Sequence, residues 1–363
     1  MTVKLNNFDN EFLEIQDGII NVITEVLKNG EYILGEKVNS FEKIFAKYIG
    51  TKYCIGVASG TDALTLALLT LQISKGDEVI TPNFTAFPTI RAILNAGAKP
   101  KLVDIDYSNG LIDLDQIESS ITNRTKAIIP VHLYGNVCEM DKLCKITKEY
   151  NLVMIEDCAQ ALGAKYNGIK TGNFGICSAF SFYPTKNIGA YGDAGAIITN
   201  DKKIYEDLKS LRNYGLISNY LHQSNGLNSR LDEIQAGILE YKLNFVDEWN
   251  NRRNSIANYY KENIVGHKFF SIKNNVDHAY HIFAIKCINR KMLIHHLKTN
   301  GIESKIHYPK PINHNTFLNE LNSKNYPISS KLANEVLSLP INPWINDSQV
   351  EFVVDVINKF QNE

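Results

Sequence analysis

Apolar residues recur along the first half of the chain in two patterns, helical spacing and short continuous runs. Helical spacing covers residues 11–27, which Asn29-Gly30 closes, and then residues 40–48, with Ser40 as the expected N-cap. Beyond them, strands and helices are predicted in alternation at 53–58, 59–71, 78–81, 87–95, 101–105, 115–121, 127–131, 140–150 and 152–156. Such alternation is typical of an α/β protein with a mostly parallel central sheet covered by helices.

The second half of the chain has a different pattern. After two further strand-like runs at 177–183 and 196–199 and a helix at 204–212, helical spacing predicts one long helix over residues 232–260. Strands at 269–272, 282–288 and 304–308 and helices at 290–298, 331–337 and 348–359 follow. We therefore predict a large domain over residues 1–245 and a smaller C-terminal α+β domain over residues 246–363.

Composition narrows the class of protein. With 363 residues, 44% hydrophobic and 21% charged, the chain has the composition of a globular protein with more than one core. A net charge of −1 gives no field that favours nucleic acid or an anionic membrane. The six cysteines are scattered and form no C-x-x-C pair, which favours free thiols in a reducing compartment over disulfides or a metal site. The longest apolar run is too short to span a bilayer. These features predict a cytoplasmic protein.

A single lysine lies between the two strand-like runs of residues 177–183 and 196–199. Pro184 ends the first run, and Lys186 follows at once in a segment rich in glycine. Because proline and glycine favour a tight bend, we expect Lys186 on a turn between two buried strands. A lysine that burial holds unprotonated can form an imine with a carbonyl group. A surface lysine in a glycine-rich turn is the alternative for this segment alone.

Two further groups follow other predicted strands. Ser59-Gly60-Thr61-Asp62 opens a helix, whose N–H groups suit a phosphate, although an ordinary N-cap with Thr61 as the cap explains the same residues. Asp157, three residues before Gln160, ends a buried strand, where it either caps the next segment or pairs with a protonated heterocyclic nitrogen. Parallel strands bring their carboxyl ends to one edge of a sheet, where open α/β sheets bind ligands. A phosphate site, an acid for a ring nitrogen and an imine-forming lysine are together what pyridoxal phosphate requires.

These residues also belong to longer stretches that resemble the DegT-type nucleotide-sugar aminotransferases, a fold-type I pyridoxal-phosphate family. The resemblance covers essentially the whole chain. The matching stretches are Gly30-Glu-Tyr-Ile-Leu-Gly35, Ser59-Gly-Thr-Asp-Ala-Leu64, Glu156-Asp-Cys-Ala-Gln-Ala161, Ser181-Phe-Tyr-Pro-Thr-Lys-Asn187, Gly226-Leu-Asn-Ser-Arg-Leu-Asp-Glu-Ile-Gln-Ala236 and Ile306-His-Tyr-Pro309.

The resemblance implies a role for each matching residue. Lys186 is then the lysine that bonds to pyridoxal 5′-phosphate and the base for the proton shift, Asp157 the partner of the ring nitrogen and Gln160 a contact near the ring hydroxyl. The phosphate is held by Gly60, Thr61, Asp62 through its backbone, and Ser181. Asn228 reaches the phosphate of the neighbouring subunit, which implies a homodimer with shared sites.

Within the family, the amino-acid sequence around Lys186 and Asn228 most resembles that of enzymes that aminate C3 of dTDP-3-keto-6-deoxyhexoses. Tyr183, His307 and Tyr308 match positions near the sugar. The implied reaction moves an amino group from L-glutamate to a nucleotide-linked keto-sugar, with no nucleic acid or membrane as partner. The alternatives to a role near the sugar are that Tyr183 packs in the core and that His307 and Tyr308 simply end a strand.

Two positions depart from the family pattern. Where relatives commonly stack an aromatic ring on the cofactor, this chain has Ala86, so Phe84, Phe87 or a smaller residue is expected to cover the ring. At Asn219-Tyr220, C3-aminating relatives often carry a lysine near the nucleotide phosphates.

Other functions remain open at this stage. A 4-keto or UDP-3-keto sugar aminotransferase differs only in its substrate pocket. A dehydratase of the same family replaces the lysine by histidine, and Lys186 argues against it. A non-catalytic ligand sensor on the same fold needs an added partner module, for which we find no spare segment. No G-x-G-x-x-G or Walker sequence supports a nicotinamide or ATP site.

Overall fold

A computed structural model describes residues 1–218, 220–222, 224–316, 318 and 325–360. Its helices are α1 (Phe8–Asn29), α2 (Glu36–Ile49), α3 (Gly60–Thr70), α4 (Phe87–Asn95), α5 (Met140–Glu149), α6 (Lys202–Leu211), α7 (Glu233–Leu243), α8 (Val246–Asn263), α9 (Arg290–Thr299), α10 (Pro327–Glu335) and α11 (Asp347–Phe360). Its strands are β1 (Tyr53–Val57), β2 (Glu78–Pro82), β3 (Lys99–Val103), β4 (Thr125–Ile128), β5 (Val153–Asp157), β6 (Lys165–Tyr166), β7 (Ile169–Lys170), β8 (Cys177–Ser181), β9 (Gly195–Thr199), β10 (Leu216–Ser218), β11 (Leu221–His222), β12 (Lys268–Phe269), β13 (Val276–Asp277), β14 (Phe283–Lys286) and β15 (Val336–Leu339).

The central sheet has seven strands in the order β1-β9-β8-β5-β4-β2-β3. Neighbours from β8 to β3 run parallel, whereas β9 is antiparallel to both β8 and β1. A parallel neighbour requires a crossover, usually a helix, whereas residues 182–194 between β8 and β9 contain no helix, and β9 runs antiparallel to β8. The predicted α/β class with a mostly parallel sheet is therefore confirmed.

Helices cover both faces of this sheet because successive side chains of each strand point to opposite sides. Along β9, Ile197 packs with residues of α3, α4 and α6, while Ala196 and Ile198 pack with residues of α1, α2, α7 and α8. Each face is thus a separate apolar core, and burial on both faces explains why these strands are continuous apolar runs in the sequence.

The predicted start of the second helix was wrong. We expected Ser40 as its N-cap, but α2 begins at Glu36 and Ser40 lies inside it. The N–H groups of Lys37 and Val38 donate to the carboxylate of Glu233, at 2.8 and 2.9 Å. An acid from another helix therefore satisfies the first turn, which the local sequence does not reveal.

Two other helix predictions also needed correction. Residues 115–121 form two short 3₁₀ turns, Leu114–Gln116 and Glu118–Ser120, with the Asp113 carboxylate accepting from the Asp115 N–H. The single helix predicted over residues 232–260 is two helices, α7 and α8, separated at Asn244 and Phe245.

The C-terminal part contains a three-stranded antiparallel sheet in the order β12-β14-β15. The helix predicted at residues 331–337 ends at Glu335, and the chain continues as β15, because residues 336–339 pair with β14. The strand predicted at residues 304–308 is a single bridge between Lys305 and Ser338. Pairing partners far along the chain decided both outcomes.

The division into domains at residues 245 and 246 stays a prediction, although it coincides with the break between α7 and α8. The first residues of the chain contact the C-terminal part, since Val3 pairs with Ile302 and the Asn342 side chain donates to the carbonyl groups of Lys4 and Leu5. All six cysteines are free thiols. Among the described residues, no helix has both the length and the apolar character needed to cross a membrane.

Candidate active site

Strand order and register bring the predicted site residues to one edge of the central sheet. Asp157 ends β5 and lies opposite Ala179 of the parallel strand β8, two residues before Ser181. Ser181 pairs with Gly195 of β9, which also pairs with Val57 at the end of β1. The acid, the serine and the helix start that follows β1 therefore share the edge at which the parallel strands end.

Lys186 lies on a turn just beyond β8. Its backbone N–H donates to the carbonyl oxygen of Tyr183 at 2.8 Å. The next residue, Asn187, is buried and its amide donates to Asn250 of α8 at 2.6 Å and to the carbonyl of Ala279 at 2.8 Å. The turn is thereby fixed from two sides at the position of the lysine.

A buried lysine fastens the segment that follows this turn. The Lys242 ammonium of α7 forms an ion pair with Glu11 of α1 and donates to the carbonyl of Gly189 at 2.7 Å. It also lies 4.1 Å from the centre of the Tyr191 ring. Helices α1 and α7, which pack in the same apolar core as Ile188 and Ala190, therefore hold residues 189–191 in place.

Burial makes the Lys186 amine less basic. Loss of water around the ammonium lowers its pKa to about 8, an effect that the negative charge of Asp157 partly opposes. With this pKa, roughly one amine in ten is unprotonated at pH 7, against fewer than one in a thousand at the ordinary lysine pKa of about 10.5, so a usable share of neutral amine is available for nucleophilic attack or proton transfer.

Asp157 is 5% exposed and has an incomplete set of partners. Its carboxylate accepts from the Thr89 hydroxyl at 2.8 Å and from the Ala159 N–H at 3.2 Å. Burial raises the pKa of Asp157, and these hydrogen bonds and the positive charge of Lys186 counteract the rise only in part. A buried acid that still lacks a full counter-charge suits a cationic ring nitrogen.

The helix start after β1 is capped by Ser59, whose hydroxyl oxygen accepts from the Asp62 N–H at 3.1 Å. The alternative of Thr61 as the cap was wrong. The expected role of the Asp62 N–H toward a phosphate stays a prediction, and in this structure that N–H donates to Ser59. The Asp62 carboxylate accepts from the Ser229 hydroxyl at 2.7 Å. The N–H groups of Gly60 and Thr61 remain at the positive end of α3.

Ser181 packs directly against this helix start. A Cβ placed on Gly60 would lie 2.7 Å from the Ser181 Cβ, closer than side-chain atoms approach. Only glycine therefore lets α3 and β8 come together at this point. The partly exposed Ser181 hydroxyl and the N–H groups at the start of α3 are therefore neighbouring donors, which suit a phosphate.

Gln160 connects two other segments of the site. Its carbonyl oxygen accepts from the Tyr134 N–H at 2.7 Å, and its amide donates to the Tyr308 hydroxyl at 2.9 Å. The Tyr134 hydroxyl in turn donates to the carbonyl of His307. The pair His307-Tyr308 is thus attached to the central sheet.

His307 and Tyr308 differ in exposure from Tyr183 and Asn228. His307 is half-buried, is hydrogen-bonded to the Ser338 hydroxyl at 2.8 Å, and has its pKa lowered to about 4 by burial, Lys305 and Lys186. Tyr183 is 53% exposed, so the alternative of core packing was wrong. Asn228 is also exposed, in a backbone bridge with Asn213.

Which residue near Ala86 covers the cofactor ring stays a prediction, but the packing of both phenylalanines is defined. Phe84 is 1% exposed and packs edge-on against Tyr308, at 6.1 Å between ring centres. Phe87 packs on a separate cluster with Ile90. Ala86, partly exposed just before α4, is the small residue at this position. At Asn219-Tyr220, the other position that departs from the family pattern, Asn219 lies outside the described residues and Tyr220 is almost fully exposed.

Sequence reasoning missed the buried groups that position Asp157. The Glu156 carboxylate accepts from the N–H groups of Gly172, Phe174 and Gly175, from the Ser178 hydroxyl and from the His132 ring. The His132 backbone N–H donates to the Asp157 carbonyl at 3.1 Å. Among described residues, His132, Glu156 and Cys158 form the one cluster with metal-ligand atoms close together, but its carboxylate is already used by these donors.

Comparison with known proteins agrees with this geometry. A "dTDP-3-amino-3,6-dideoxy-alpha-D-galactopyranose transaminase" from Aneurinibacillus thermoaerophilus is 46% identical over 351 residues, 96% of each chain. DesV from S. venezuelae, solved in complex with a ketimine intermediate, has a TM-score of 0.97 and 37% identity over 100% of this chain and 99% of its own. NtdA from Bacillus subtilis with bound cofactor PMP has a TM-score of 0.91 and 28% identity over 96% and 82%. The family model that describes DegT/DnrJ/EryC1/StrS aminotransferases matches residues 13–358, so this chain belongs to that family.

Proposed function

We propose that this enzyme uses pyridoxal 5′-phosphate to move an amino group from L-glutamate to the C3 keto group of a dTDP-linked 6-deoxyhexose, in amino-sugar biosynthesis. The observation that carries the proposal is the pairing of Lys186 with Asp157 at the carboxyl edge of the parallel sheet. The pKa of Lys186 is lowered by burial, and the negative charge of the buried Asp157 acts on it. The name of the Aneurinibacillus relative supports the substrate class.

The donor set fits the cofactor at each of its polar groups. The N–H groups of Gly60 and Thr61, with the Ser181 hydroxyl, would hold the phosphate, and Asp157 would pair with the ring nitrogen. Gln160 lies near the ring hydroxyl in this assignment. When bound, pyridoxal phosphate supplies an aldehyde that condenses with amines and a ring that accepts electrons from the adjacent carbon.

Lys186 serves two purposes in this proposal. Its unprotonated amine would be the nucleophile toward the aldehyde of the cofactor, and its pKa of about 8 lets it both take and return a proton near neutral pH. The Asp157 anion, which the Thr89 hydroxyl stabilises, would pair with the ring nitrogen and favour its protonated form.

We assign Tyr183, His307 and Tyr308 to the sugar side of the cleft. His307 is neutral at physiological pH because its pKa is lowered to about 4, so it offers a neutral donor or acceptor to a hydroxyl group. Tyr308 holds its hydroxyl against Gln160 and is oriented by it. The exposed Tyr183 is free to pack against a substrate.

The assembly in this proposal is a homodimer with shared sites. Asn228 lies at the surface, and a side chain there is available to a second copy of the chain. Leu13, Ile20 and Leu27, which repeat every seven residues on α1, are each at least half exposed and add an apolar stripe of the kind that protein interfaces cover. Six free thiols support a cytoplasmic location.

Replacement of Lys186 by alanine tests the chemistry. The purified protein is expected to carry a visible absorption band and a cofactor that borohydride fixes covalently to residue 186. In the Lys186→Ala variant, we expect the absorption band, the covalent attachment of the cofactor and the transamination activity to be lost together, while the circular dichroism spectrum stays that of the folded protein. Covalent cofactor in the variant would remove Lys186 from this role.

A substrate panel tests the acceptor. The enzyme is incubated with L-glutamate and dTDP-3-keto, dTDP-4-keto or UDP-3-keto sugars, and 2-oxoglutarate is measured. We expect the highest kcat/KM with a dTDP-3-keto-6-deoxyhexose. A preference for a 4-keto or UDP-linked sugar would show that the acceptor is that sugar instead. No turnover of any sugar in the panel would favour a ligand sensor.

A further inference from the structure

A cavity of about 580 Å³ lies between the segment that follows β3 and the C-terminal part of the chain. Tyr107 forms the wall on the first side, and the other walls come from the chain around β12 and β14 and from helices α9, α10 and α11. None of the residues assigned above to the cofactor or the sugar belongs to its lining. Cavities of about 300–1,000 Å³ are typical of sites that bind small molecules.

Positive charge dominates this cavity. Three lysines line it: Lys268, Lys286 and Lys331. In the part of the chain that the structure describes, none of the three forms a salt bridge. The one carboxylate among the described lining residues is that of Glu335, and it accepts a hydrogen bond from the Tyr107 hydroxyl. The lining therefore favours an anionic ligand.

Lys286 is the buried member of this set, at 7% exposed. Its ammonium group donates to the carbonyl oxygens of Tyr107 and Ser108, at 2.6 and 3.1 Å. The same group lies 4.3 Å from the centre of the Tyr107 ring and 4.5 Å from that of Phe270. An ammonium has three donors, and the two carbonyls use two of them. One donor and most of a buried charge are thus left for a ligand, since a buried cation without an anion is costly.

The three ammonium groups also act on one another. Burial lowers the pKa of Lys286 to about 8, and the negative charges of Asp106 and Glu335 oppose this shift. The positive charges of Lys268 and Lys331 lower the pKa further, so the three groups are close enough to repel. An anion among them would relieve the repulsion and interact with three charges at once.

Apolar side chains form another part of the cavity. Ile288 is 90% exposed and Met292 is 65% exposed, and Phe360 beside them is partly exposed. Exposed apolar groups at the edge of a cavity are typical of a binding site. A ligand that uses the whole cavity therefore carries both an anionic group and an apolar or aromatic group.

We propose that this cavity binds a nucleoside diphosphate, with its phosphate groups on Lys268, Lys286 and Lys331. The base lies against Ile288 and Met292. Lysine is a common partner of phosphate, and a diphosphate brings several negative charges to three cations, whereas a single carboxylate leaves most of them unmatched. This second site goes beyond the proposed function and does not rest on it.

Calorimetry of the holoenzyme with dTDP tests the site. The variant Lys268→Ala/Lys331→Ala removes two exposed lysines of the cavity and keeps the buried one. Binding of dTDP at the active site is common to both proteins, so the site appears as a binding event of the wild type that weakens about 10-fold or more in the variant. Lys202→Ala/Lys203→Ala is the matched control, because these exposed lysines of α6 carry the same charge and do not line the cavity.

Two further measurements locate the ligand and identify the part that is bound. Acetylation by acetic anhydride, followed by mass spectrometry, is expected to slow at Lys268 and Lys331 when dTDP is present and to stay unchanged at Lys203. Inorganic diphosphate is expected to bind this site about 10-fold more weakly than dTDP, and thymidine more weakly still.

Three results would overturn the proposal. Equal dTDP binding in the wild type and in Lys268→Ala/Lys331→Ala, or unprotected lysines in the acetylation experiment, would show that the cavity takes no nucleotide. Diphosphate that binds as tightly as dTDP would remove the nucleoside from the ligand. Transamination by the variant is expected to stay within about 2-fold of the wild type, as surface substitutions usually allow, and its loss would refute a separate site. Absence of transamination in the wild type would refute the proposed function alone.

Discussion

At the scale of single residues, Thr89 decides the state of Asp157. Its hydroxyl is the closest donor to that carboxylate, at 2.8 Å, and both groups are buried. Sequence reasoning passed over Thr89 because a threonine inside a helix has no distinctive spacing. Its importance comes only from the proximity of α4 to the end of β5.

We expect Thr89→Val to weaken cofactor binding by about 10- to 100-fold, since a hydrogen bond to a charged group contributes roughly 1.5–3 kcal/mol. Loss of the donor raises the pKa of Asp157 further and weakens its pairing with the ring nitrogen. Equilibrium titration of the apo protein with pyridoxal phosphate measures the effect. Thr89→Ser, which retains the hydroxyl, is the control, and equal affinity in all three proteins would contradict the assignment.

The lowered pKa of Lys186 predicts a pH dependence for cofactor attachment. Only the neutral amine attacks an aldehyde, and a lysine is neutral above its pKa, so the attachment rate should rise with pH and reach half its maximum near about 8. Since Asp157 raises the pKa of Lys186, Asp157→Asn should move the midpoint to lower pH. Stopped-flow absorbance measures both profiles. A midpoint near the ordinary lysine value of about 10.5 would show that the amine is not desolvated.

At the scale of elements, the site depends on how closely helix α3 approaches strands β8 and β9. Gly60 meets Ser181, and a Cβ on Gly195 would lie 2.4 Å from the Ser59 carbonyl carbon. The glycines were visible in the sequence as turn residues. Their actual contribution, contact between two elements without an intervening side chain, required the packing.

Gly60→Ala tests this approach. The added methyl group pushes the start of α3 away from Ser181, at a cost of about 1–3 kcal/mol for overpacking, and opens the phosphate site. We expect the affinity for pyridoxal phosphate to fall about 10-fold or more, while that for pyridoxal, which lacks the phosphate, changes little. Gly192→Ala is the matched control, because its nearest neighbour is the flexible end of Gln235 at 3.3 Å. Parallel losses for both ligands would point to general destabilisation instead.

At the scale of the whole molecule, the proposed dimer predicts complementation between defective chains. Lys186→Ala and Asn228→Ala are each expected to lose most activity alone. In a mixed dimer, one site combines the intact Lys186 of one protomer with the intact Asn228 of the other, so co-expression with different affinity tags should restore up to half of the wild-type activity per mixed dimer. Mixed dimers without activity would show that Asn228 acts within its own chain.

Several features followed from local sequence because they depend on neighbours along the chain. The strand positions, the turn at Lys186 and the C-cap at Gly30 are examples, since apolar period and backbone preference are local properties. The start of α2, the break after α7 and strand β15 did not follow from the local sequence. Glu233, the helices against which α7 and α8 pack (α1, α2 and α11) and the paired strand β14 all lie far away in the sequence.

The sequence by itself determined the alternating α/β plan, the edge of the sheet that carries the site and the family resemblance, because continuous apolar strands and residues at their ends are readable in order. Only the tertiary structure decided that Asp157 is buried beside Lys186 with Thr89 as its donor, and that Lys286 and Lys331 share a cavity beside Tyr107. The reason is physical: desolvation and charge act between groups that are close in space, and the members of each set are 29 to 224 residues apart along the chain.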